Sequence, residues 1–338
     1  MDARPPVSVI LPTVRPTSVI DELAEQLGAD DELLIVCDQP TDPVAIDYGV
    51  ESADEIAVRN ESSETAENDD SAEIDETVST ASLPASTRLV FAGDPTGCSG
   101  KANAIAAGMA AATADRLVWT DDDFHHPPGW LDKLAREYDT QGPTTEVPFF
   151  VGRDPLSTVL EPLYALGATA GLTLFDKPWA GAVVFERSDL DEERFRRELR
   201  RTVSDDGLLS LHTDVTPVRR VRQVPVGGTV GESLERHVRF MQIVWRFVPH
   251  RWVIVPLSAV FFVCCLVAPV AAAIVSTLWV GGVYAYFGVR RPTVLLAFPA
   301  LVAQFPLLLH GLVRRQFVWA GRRYRWRRRF SVTVEDDN

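Results

Sequence analysis

Short apolar runs alternate with helical patterns along the first two thirds of the chain. The runs predicted to be strands are residues 7–11, 32–36, 88–91, 116–119 and 182–185. Helical stretches are predicted at residues 19–26, 100–114 and 189–203. This alternation predicts an α/β fold with a mostly parallel sheet and helices on both faces. Ligands of such sheets bind at the carboxyl ends of the strands.

The last third of the chain has a different pattern. From residue 233 to 248 apolar side chains recur every three or four positions, which is the spacing of one helix face: Leu234, Val238, Met241, Trp245 and Val248. Arginines fill much of the remaining surface, so we expect residues 233–251 to form a basic amphipathic helix in a membrane interface. A helix packed within a soluble core is the alternative.

Two charge-free runs follow, at residues 252–289 and 293–313. A bilayer core takes about 20 helical residues, so the region 252–313 is predicted to cross a membrane about twice. Arginines crowd residues 314–338, which indicates a basic tail on the cytosolic side. We therefore expect a multi-pass protein of the cell membrane, with residues 1–232 as a catalytic domain facing the cytoplasm.

Composition narrows the class of partner. The net charge is −14, and the chain contains 33 lysines and arginines against 47 acids. The first 240 residues show no basic patch suited to phosphate backbones, so nucleic acid is not expected as a partner. Few lysines and many acids resemble proteins of extreme halophiles. Residues 51–86 are mostly Glu, Asp, Ser and Thr, and are interpreted as an acidic, mobile insertion.

Three polar motifs follow predicted strands or helices. Asp121-Asp122-Asp123 comes after an apolar strand, and adjacent carboxylates suit Mg²⁺ or Mn²⁺ with substrate phosphates as further ligands. Lys101 follows a glycine-containing turn at a helix start, where an anion would be favoured. Asp205-Asp206 could supply a general base. Taken singly, each has a plainer interpretation as surface acids, a capping turn or a helix end.

The order and spacing of these motifs resemble family-2 glycosyltransferases. The matching segments are Pro6–Thr13, Val36–Asp42, Gly100–Ile105, Asp121–Asp123 with Pro128 and Trp130, Trp179–Ala182, Asp206, Arg236–Phe240 and Trp319–Tyr324. Arg236-His237-Val238-Arg239-Phe240 is similar to the (Q/R)-x-x-R-W motif of ceramide-glucosyltransferase-like and processive members, with Phe240 in place of Trp. The turn that contacts the nucleotide usually has two adjacent aspartates in this family. Here Cys37 departs from that pattern, which leaves Asp38 as the candidate contact.

The resemblance implies a GT-A fold and a metal-dependent single displacement from a nucleotide sugar, with a UDP-sugar as expected donor. It assigns donor binding to Pro12, Asp38, Lys101, Asp121, Asp123, Arg236 and Arg239. It places Mg²⁺ or Mn²⁺ on Asp121 and Asp123, and the catalytic carboxylates at Asp206 and Asp205. The membrane helices suggest a lipid acceptor.

Three other functions stay open at this stage. A polyprenyl-phosphate sugar synthase shares the front half of the sequence but not the Arg-x-x-Arg-aromatic motif. A polysaccharide synthase usually has a tryptophan in that motif and more membrane spans. A catalytically inactive, membrane-anchored protein that binds nucleotide sugars is the third, because Cys37 and Phe240 depart from the family pattern.

Overall fold

The computed structural model describes residues 4–49, 83–249 and 251–336. The predicted acidic insertion therefore lies outside the described residues as far as position 82. The rest of the front part forms one seven-stranded sheet. Its strands are β1 (Val7–Pro12), β2 (Glu32–Cys37), β3 (Thr87–Phe91), β4 (Arg116–Thr120), β5 (Thr144–Gly152), β6 (Ala182–Glu186) and β7 (Thr216–Val226).

The sheet has the strand order β3-β2-β1-β4-β6-β5-β7. The first four strands are mutually parallel, and only β6 runs antiparallel to its neighbours. The predicted α/β fold with a mostly parallel sheet is thus confirmed. The ends of β2, β3 and β4 lie on the same edge, which brings Asp38, the segment with Lys101 and the Asp121–Asp123 triplet to one side of the sheet.

Helices cover both faces of this sheet. They are α1 (Val19–Ala24), α2 (Pro43–Asp47), α3 (Gly100–Ala111), α4 (Trp130–Gln141), α5 (Pro155–Tyr164), α6 (Gly171–Leu174), α7 (Glu192–Leu199), α8 (Asp205–His212) and α9 (Val230–Phe247). The helix expected over residues 189–203 is shorter than predicted. Its start is a separate 3₁₀ turn at Arg187–Asp189, and Asp191 caps α7 by accepting from the Arg194 amide.

The core holds the front part together on both sides of the sheet. Trp119 of β4 is fully buried, meeting Phe185 edge-on at 4.9 Å and stacking on Phe195 of α7 at 5.8 Å between ring centroids. On α3, Gly108 packs so closely on β1 that an added Cβ would lie 2.5 Å from Ile10. Tight packing of this kind fixes the strand ends that carry the polar motifs.

Three apolar helices follow α9: α10 (Ile254–Val267), α11 (Pro269–Tyr286) and α12 (Ala297–Val313). By length and composition, the segments Pro269–Tyr286 and Pro292–Val313 could cross a membrane, while Arg251–Val267 is shorter. α10 and α11 form a hairpin that leaves the front part and returns to it. Trp252 near the start of α10 meets Trp245 of α9 at 4.4 Å, and Arg291 after α11 pairs with Glu161 of α5 at 2.7 Å.

α12 lies along the front part and contacts it at both ends. Thr293, just before α12, donates to Glu161, and Arg314, just after it, pairs with Glu235 of α9 at 2.7 Å. Within α12, Gly311 allows Met241 of α9 to approach, since an added Cβ would lie 2.8 Å from that side chain. None of the α9 residues from 233 to 248 is exposed. α9 therefore packs against protein along these residues, and its predicted position in a membrane interface stays a prediction.

The basic tail is an ordered element. It forms a three-stranded antiparallel sheet of β8 (Gln316–Trp319), β9 (Arg322–Arg328) and β10 (Ser331–Asp336). Tyr324 and Trp326 of β9 are both 1% exposed, and they pack with Val238 and Phe247 of α9. The carboxyl-terminal sheet therefore belongs to the same folded body as the front part.

Candidate active site

Lys101 links the loops at the carboxyl edge of the sheet. Its Nζ lies 2.5 Å from Asp121 Oδ1, just after β4, and 3.2 Å from Asp205 Oδ2, at the start of α8. Lys101 is the second residue of α3, which Ser99 caps by accepting from the Ala102 amide at 3.0 Å. Three of the residues predicted from separate motifs therefore meet directly.

The start of α8 is fixed by close packing and a side-chain cap. Ser204 accepts from the Gly207 amide at 2.9 Å, which ends the loop and begins the helix. A Cβ on Gly207 would lie 2.5 Å from the Phe247 ring, so only glycine lets α9 approach here. Asp206 accepts from the Ala180 amide before β6. The segment Trp179–Ala182, which resembles the family, thus orients the predicted base.

The electrostatics of this cluster are those of several carboxylates around one lysine. Burial by itself would lower the pKa of Lys101, but the charges of Asp121, Asp205 and Asp206 outweigh burial and raise that pKa. Burial, and then the charge of Asp205, raises the pKa of Asp206 to about 7. Burial also raises the pKa of Asp121, against the opposing effect of Lys101. The cluster is short of positive charge.

Asp122 and Asp123 have different surroundings although they are adjacent. Asp122 accepts from the Thr13 hydroxyl at 2.5 Å, which ties the turn to the loop after β1, beside Pro12. Asp123 is open to solvent within a cleft of about 470 Å³ that Arg153 and Gln223 also line. The surrounding protein atoms reduce the hydration of the Asp123 carboxylate. This desolvation, and then the charge of Asp121, raises the pKa of Asp123 to about 7.

Asp38 directly follows β2, and β1 separates that strand from β4, which precedes Asp121. Its carboxylate is nearly buried and pairs with Arg322 of β9, with 2.5 Å between Nη1 and Oδ2. A Cβ on Gly100 would lie 3.8 Å from Asp38 Oδ2. Asp38 is therefore next to the helix start that carries Lys101, while its direct partner comes from the carboxyl-terminal sheet.

The two predicted arginines of α9 approach the cluster from the other side. The Arg239 guanidinium lies 4.0 Å from the centroid of the Trp319 ring. Burial, and then the charge of Arg236, lowers the pKa of Arg239 to about 10, although Asp205 and Asp206 act in the opposite direction. Arg239 therefore remains positively charged, and it lies close enough to Asp205 and Asp206 to interact with their charges.

Arg236 has an unused donor. Its Nη2 donates to the Gly227 carbonyl at 2.7 Å, but the buried Nη1 makes no well-formed hydrogen bond with any described residue. Burial raises the pKa of the Tyr164 hydroxyl, whereas the charge of Arg236 and a side-chain hydrogen bond with it act in the opposite direction, so the two side chains lie together. Phe240, which replaces the tryptophan of the family motif, packs on Tyr164 at 5.9 Å between centroids.

No group of three or more His, Cys, Asp or Glu side chains in the described ranges is arranged to hold a metal ion on its own. Asp205 Oδ2 is buried, and Lys101 Nζ lies 3.2 Å from it. Oxygen ligands from a bound phosphate would therefore have to complete any metal site built on these carboxylates.

Sequence reasoning did not assign roles to three residues that the structure places at this site. Arg322 and Trp319 lie in the tail segment that resembles the family, but nothing in their spacing indicates contact with Asp38 or Arg239. Tyr164 ends α5 in a region without a recognised motif. Of the three, only Arg322 and Trp319 could have been found from the sequence, through the resemblance of the tail segment to the family.

The fold and the cluster place the chain among α/β proteins with a ligand site at the carboxyl edge of the sheet. Residues 95–199 match the model of glycosyl transferase family 2. The match confirms the resemblance seen in the sequence, and the enzyme class is that of a glycosyltransferase. It covers the segments with Lys101, Asp121 and Asp123, and ends before Asp205. No curated protein matches the chain in sequence.

Solved structures show only remote similarity. Glucosyl-3-phosphoglycerate synthase from Mycobacterium tuberculosis, in complex with Mn²⁺, UDP and glucosyl-3-phosphoglycerate, is 15% identical with a TM-score of 0.35 over 71% of this chain and 77% of that one. A mycobacterial protein is 17% identical with a TM-score of 0.36, over 71% of this chain and 72% of that one. At these values the similarity supports no statement about the substrate of this chain.

Proposed function

We propose that this glycosyltransferase moves a sugar from a nucleotide diphosphate sugar, with a UDP-sugar as the expected donor, to the hydroxyl of a lipid at a membrane surface. The observation that carries the proposal is the cluster of Lys101, Asp121, Asp205 and Asp206, with Arg239 beside it. Carboxylates, a lysine and an arginine at one edge of the sheet suit a diphosphate with a divalent cation.

The residues present fit a divalent cation. The carboxylate charges exceed that of Lys101, and Asp123 is open to the cleft, where a ligand can reach it. Oxygen ligands of this kind, completed by substrate phosphates, are the usual set for Mg²⁺. Asp121 and Asp123 would hold Mg²⁺ or Mn²⁺. When bound, the ion would neutralise charge on the departing diphosphate.

The protein's own groups have separate roles in this proposal. Asp206, oriented by the Ala180 amide, takes the proton from the acceptor hydroxyl, and its pKa of about 7 suits a base at neutral pH. Asp205 shapes the field at Asp206, and Lys101 with Arg236 and Arg239 stabilises negative charge on the leaving group. Asp38 would hold the nucleoside, with Pro12 in the adjoining loop.

A membrane location is supported by the apolar surface of the hairpin formed by α10 and α11. Large apolar side chains point outward along it, and at its tip Val267 is 79% exposed and Val270 is 74% exposed. Exposed apolar area of this extent is unusual on a protein surrounded by water. A hairpin embedded in lipid, with α9 joining it to the active site, would hold the site near the headgroups. A lipid acceptor suits that position.

The buried Arg236 guanidinium and the Tyr164 hydroxyl next to it favour one second candidate, a polyprenyl phosphate as acceptor. Its phosphate would accept hydrogen bonds from both groups. In that case the attacking oxygen is a phosphate oxygen, and Asp206 is not needed as a base. The two candidates therefore differ in their dependence on Asp206.

The test is a donor and acceptor screen with the full chain in isolated membranes, in molar salt. Radiolabelled nucleotide sugars are combined with extracted hydroxyl lipids in one arm and with polyprenyl phosphate in the other. We expect labelled glycolipid in the first arm and its loss in Asp206→Asn. Asp214→Asn, at an exposed position shortly after α8, is the matched control and should stay active.

Three outcomes separate the candidates. Transfer to a hydroxyl lipid that depends on Asp206 supports the proposal. Transfer to polyprenyl phosphate that survives in Asp206→Asn supports the second candidate. Binding of a nucleotide sugar without transfer to any acceptor would identify the inactive binding protein instead.

A further inference from the structure

The turn between β8 and β9 brings the carboxyl-terminal sheet to the active site. Ala320 and Gly321 form this two-residue turn with φ values of 50° and 73°. Positive φ at both positions matches the twist of the paired strands, so the hairpin is tight. Trp319 and Arg322 flank the turn and lie directly opposite each other in the ladder. The tip of the hairpin therefore presents both side chains together.

Alternation along β9 decides which side chains reach the front part. Tyr324 and Trp326 are buried, and Arg322, two residues before Tyr324, lies on the same face. Arg325 and Arg327 lie on the opposite face and are exposed. The Tyr324 hydroxyl accepts from the Gly100 amide at 3.3 Å. The inward face of β9 thus docks on the start of α3.

Arg322 joins three segments of the active-site edge. Its Nη1 lies 2.5 Å from Asp38 Oδ2 after β2, and its Nη2 lies 3.2 Å from Asp94 Oδ1 after β3. A Cβ on Gly100 would lie 3.2 Å from Nη1, so the guanidinium also rests on the start of α3. Its side chain is 21% exposed, which is low for an arginine on a terminal sheet.

Trp319 supports the other side of the site. Its ring stacks on the Arg239 guanidinium at 4.0 Å, and a cation over an aromatic face is held in place by the ring's electrostatic field. The two residues at one hairpin tip therefore hold Asp38 on one side and Arg239 on the other. Both of these partners were assigned to donor binding.

We propose that the carboxyl-terminal sheet is a wall of the donor site, with Arg322 as a positioning residue that sets the Asp38 carboxylate for the nucleoside. The inference rests on the proposed function, because it takes Asp38 as a contact of the nucleotide sugar. Arg322 uses Oδ2, and a carboxylate accepts through both oxygens, so Oδ1 can accept a hydroxyl or an N–H from the nucleoside.

The experiment measures UDP binding and donor kinetics with the purified full chain in detergent. Losing a hydrogen bond to a charged group weakens binding by about tenfold, and we expect the UDP Kd and the donor KM of Arg322→Ala to rise by that factor. The kcat at saturating donor should stay close to wild type, since Arg322 touches no reacting atom. Arg322→Lys should recover part of the affinity. Arg327→Ala, on the outward face of the same strand, is the matched control and should change neither value.

A double-mutant comparison identifies the route of the effect. If Arg322 acts through Asp38, then Asp38→Ala combined with Arg322→Ala should weaken UDP binding no more than Asp38→Ala alone. Additive losses would mean that Arg322 has a separate role and would overturn the positioning mechanism.

Other results also decide against the inference. Tighter UDP binding in Arg322→Ala would show that Arg322 competes with the donor for Asp38. Unchanged binding, with wild type binding UDP, would remove the sheet from the site and leave the proposed function intact. A fall in kcat and a rise in the donor KM, together with a lower unfolding temperature, in both Arg322→Ala and Arg322→Lys would show a structural role. A wild type that binds no nucleotide would overturn both proposals.

Discussion

At the scale of single residues, the surroundings of Asp206 suit the role of a general base. Its carboxylate is oriented by a backbone amide at Ala180, and its pKa is raised to about 7 by burial and by the neighbouring Asp205. A raised pKa makes a carboxylate a stronger base at the cost of being partly protonated at neutral pH. The protonation state of Asp206 should therefore control turnover near pH 7.

The expected pH dependence follows from the direction of this shift. A base works only when deprotonated, so kcat/KM for the acceptor should rise with pH, reach half its maximum at about pH 7 and level off at higher pH. The measurement is initial rate from pH 5.5 to 8.5 at fixed salt. A profile that falls over this range, or one centred near pH 4, would contradict the role of Asp206 as base.

The acid triplet allows a matched test of the metal. Asp121 pairs with Lys101 and Asp123 is exposed in the cleft, whereas the carboxylate of Asp122 is held by the Thr13 hydroxyl. Asp123→Asn should weaken Mn²⁺ binding by at least about tenfold, because a carboxylate ligand is replaced by an amide. Calorimetry with Mn²⁺ in the presence of UDP measures this.

Asp122→Asn is the control for the metal experiment. It changes the same charge by the same amount one position away, and its amide oxygen can still accept from Thr13. We expect Mn²⁺ affinity near that of wild type. Equal losses in the two variants would mean that the metal responds to net charge and is not coordinated by Asp123.

Among the elements, a buried network joins α5 to the apolar helices. The Glu161 side chain is fully buried and pairs with Arg291 at 2.7 Å. The Tyr284 hydroxyl lies 3.5 Å from Glu161 Oε1, and Thr293 donates to the same oxygen. The network holds the end of α11 and the start of α12 on the front part. It is the anchor for the returning half of the hairpin.

Breaking this anchor should cost stability. Arg291→Met removes the cation and leaves Glu161 buried without its ion pair, which typically costs about 3–5 kcal/mol. Denaturant unfolding in detergent should show this loss, with Arg290→Met as a control because Arg290 is exposed. If the two variants have the same free energy of unfolding, the ion pair is not an anchor.

Two strands of the seven-stranded sheet, β5 and β7, escaped sequence prediction for a reason visible in that sheet. β5 contains Glu146 and Pro148, and β7 contains Arg220 and Arg222, none of which suits a typical buried strand. In the sheet, the fully buried Glu146 accepts hydrogen bonds from both arginines. Their charges compensate one another across neighbouring strands, and a pairing over more than 70 positions leaves no periodic signal.

At the scale of the whole molecule, the hairpin of α10 and α11 is the part whose exposed apolar surface is least suited to contact with water. Both of its ends contact the front part, at Trp245 and at Glu161, and its turn points away from it. α10 has 14 residues, which extend about 21 Å as a helix and are fewer than a bilayer core requires. We infer that the hairpin enters the membrane from the side of the front part.

Cysteine labelling tests this placement. Cys264 on α10 is exposed, whereas Cys37, Cys98 and Cys265 are buried. In native membranes, Cys264 should not react with a bulky, charged maleimide, because lipid excludes the charged reagent. After solubilisation in detergent and denaturation, Cys264 should react. A cysteine at the exposed position Glu193 on α7 is the positive control. Rapid labelling of Cys264 in intact membranes would place α10 in water.

The sequence by itself determined the α/β alternation, the bounds of β1 to β4 within a residue or two, and the position of Lys101 and the acid triplet at strand or helix ends. These follow from local periodicity and from the rule that parallel strands end at one edge. Only the tertiary structure decided that Asp122 turns to Thr13, that α12 lies along the front part, and that Arg322 reaches Asp38 from 284 positions away. Contacts between distant residues depend on how complete elements pack, and no local pattern encodes that packing.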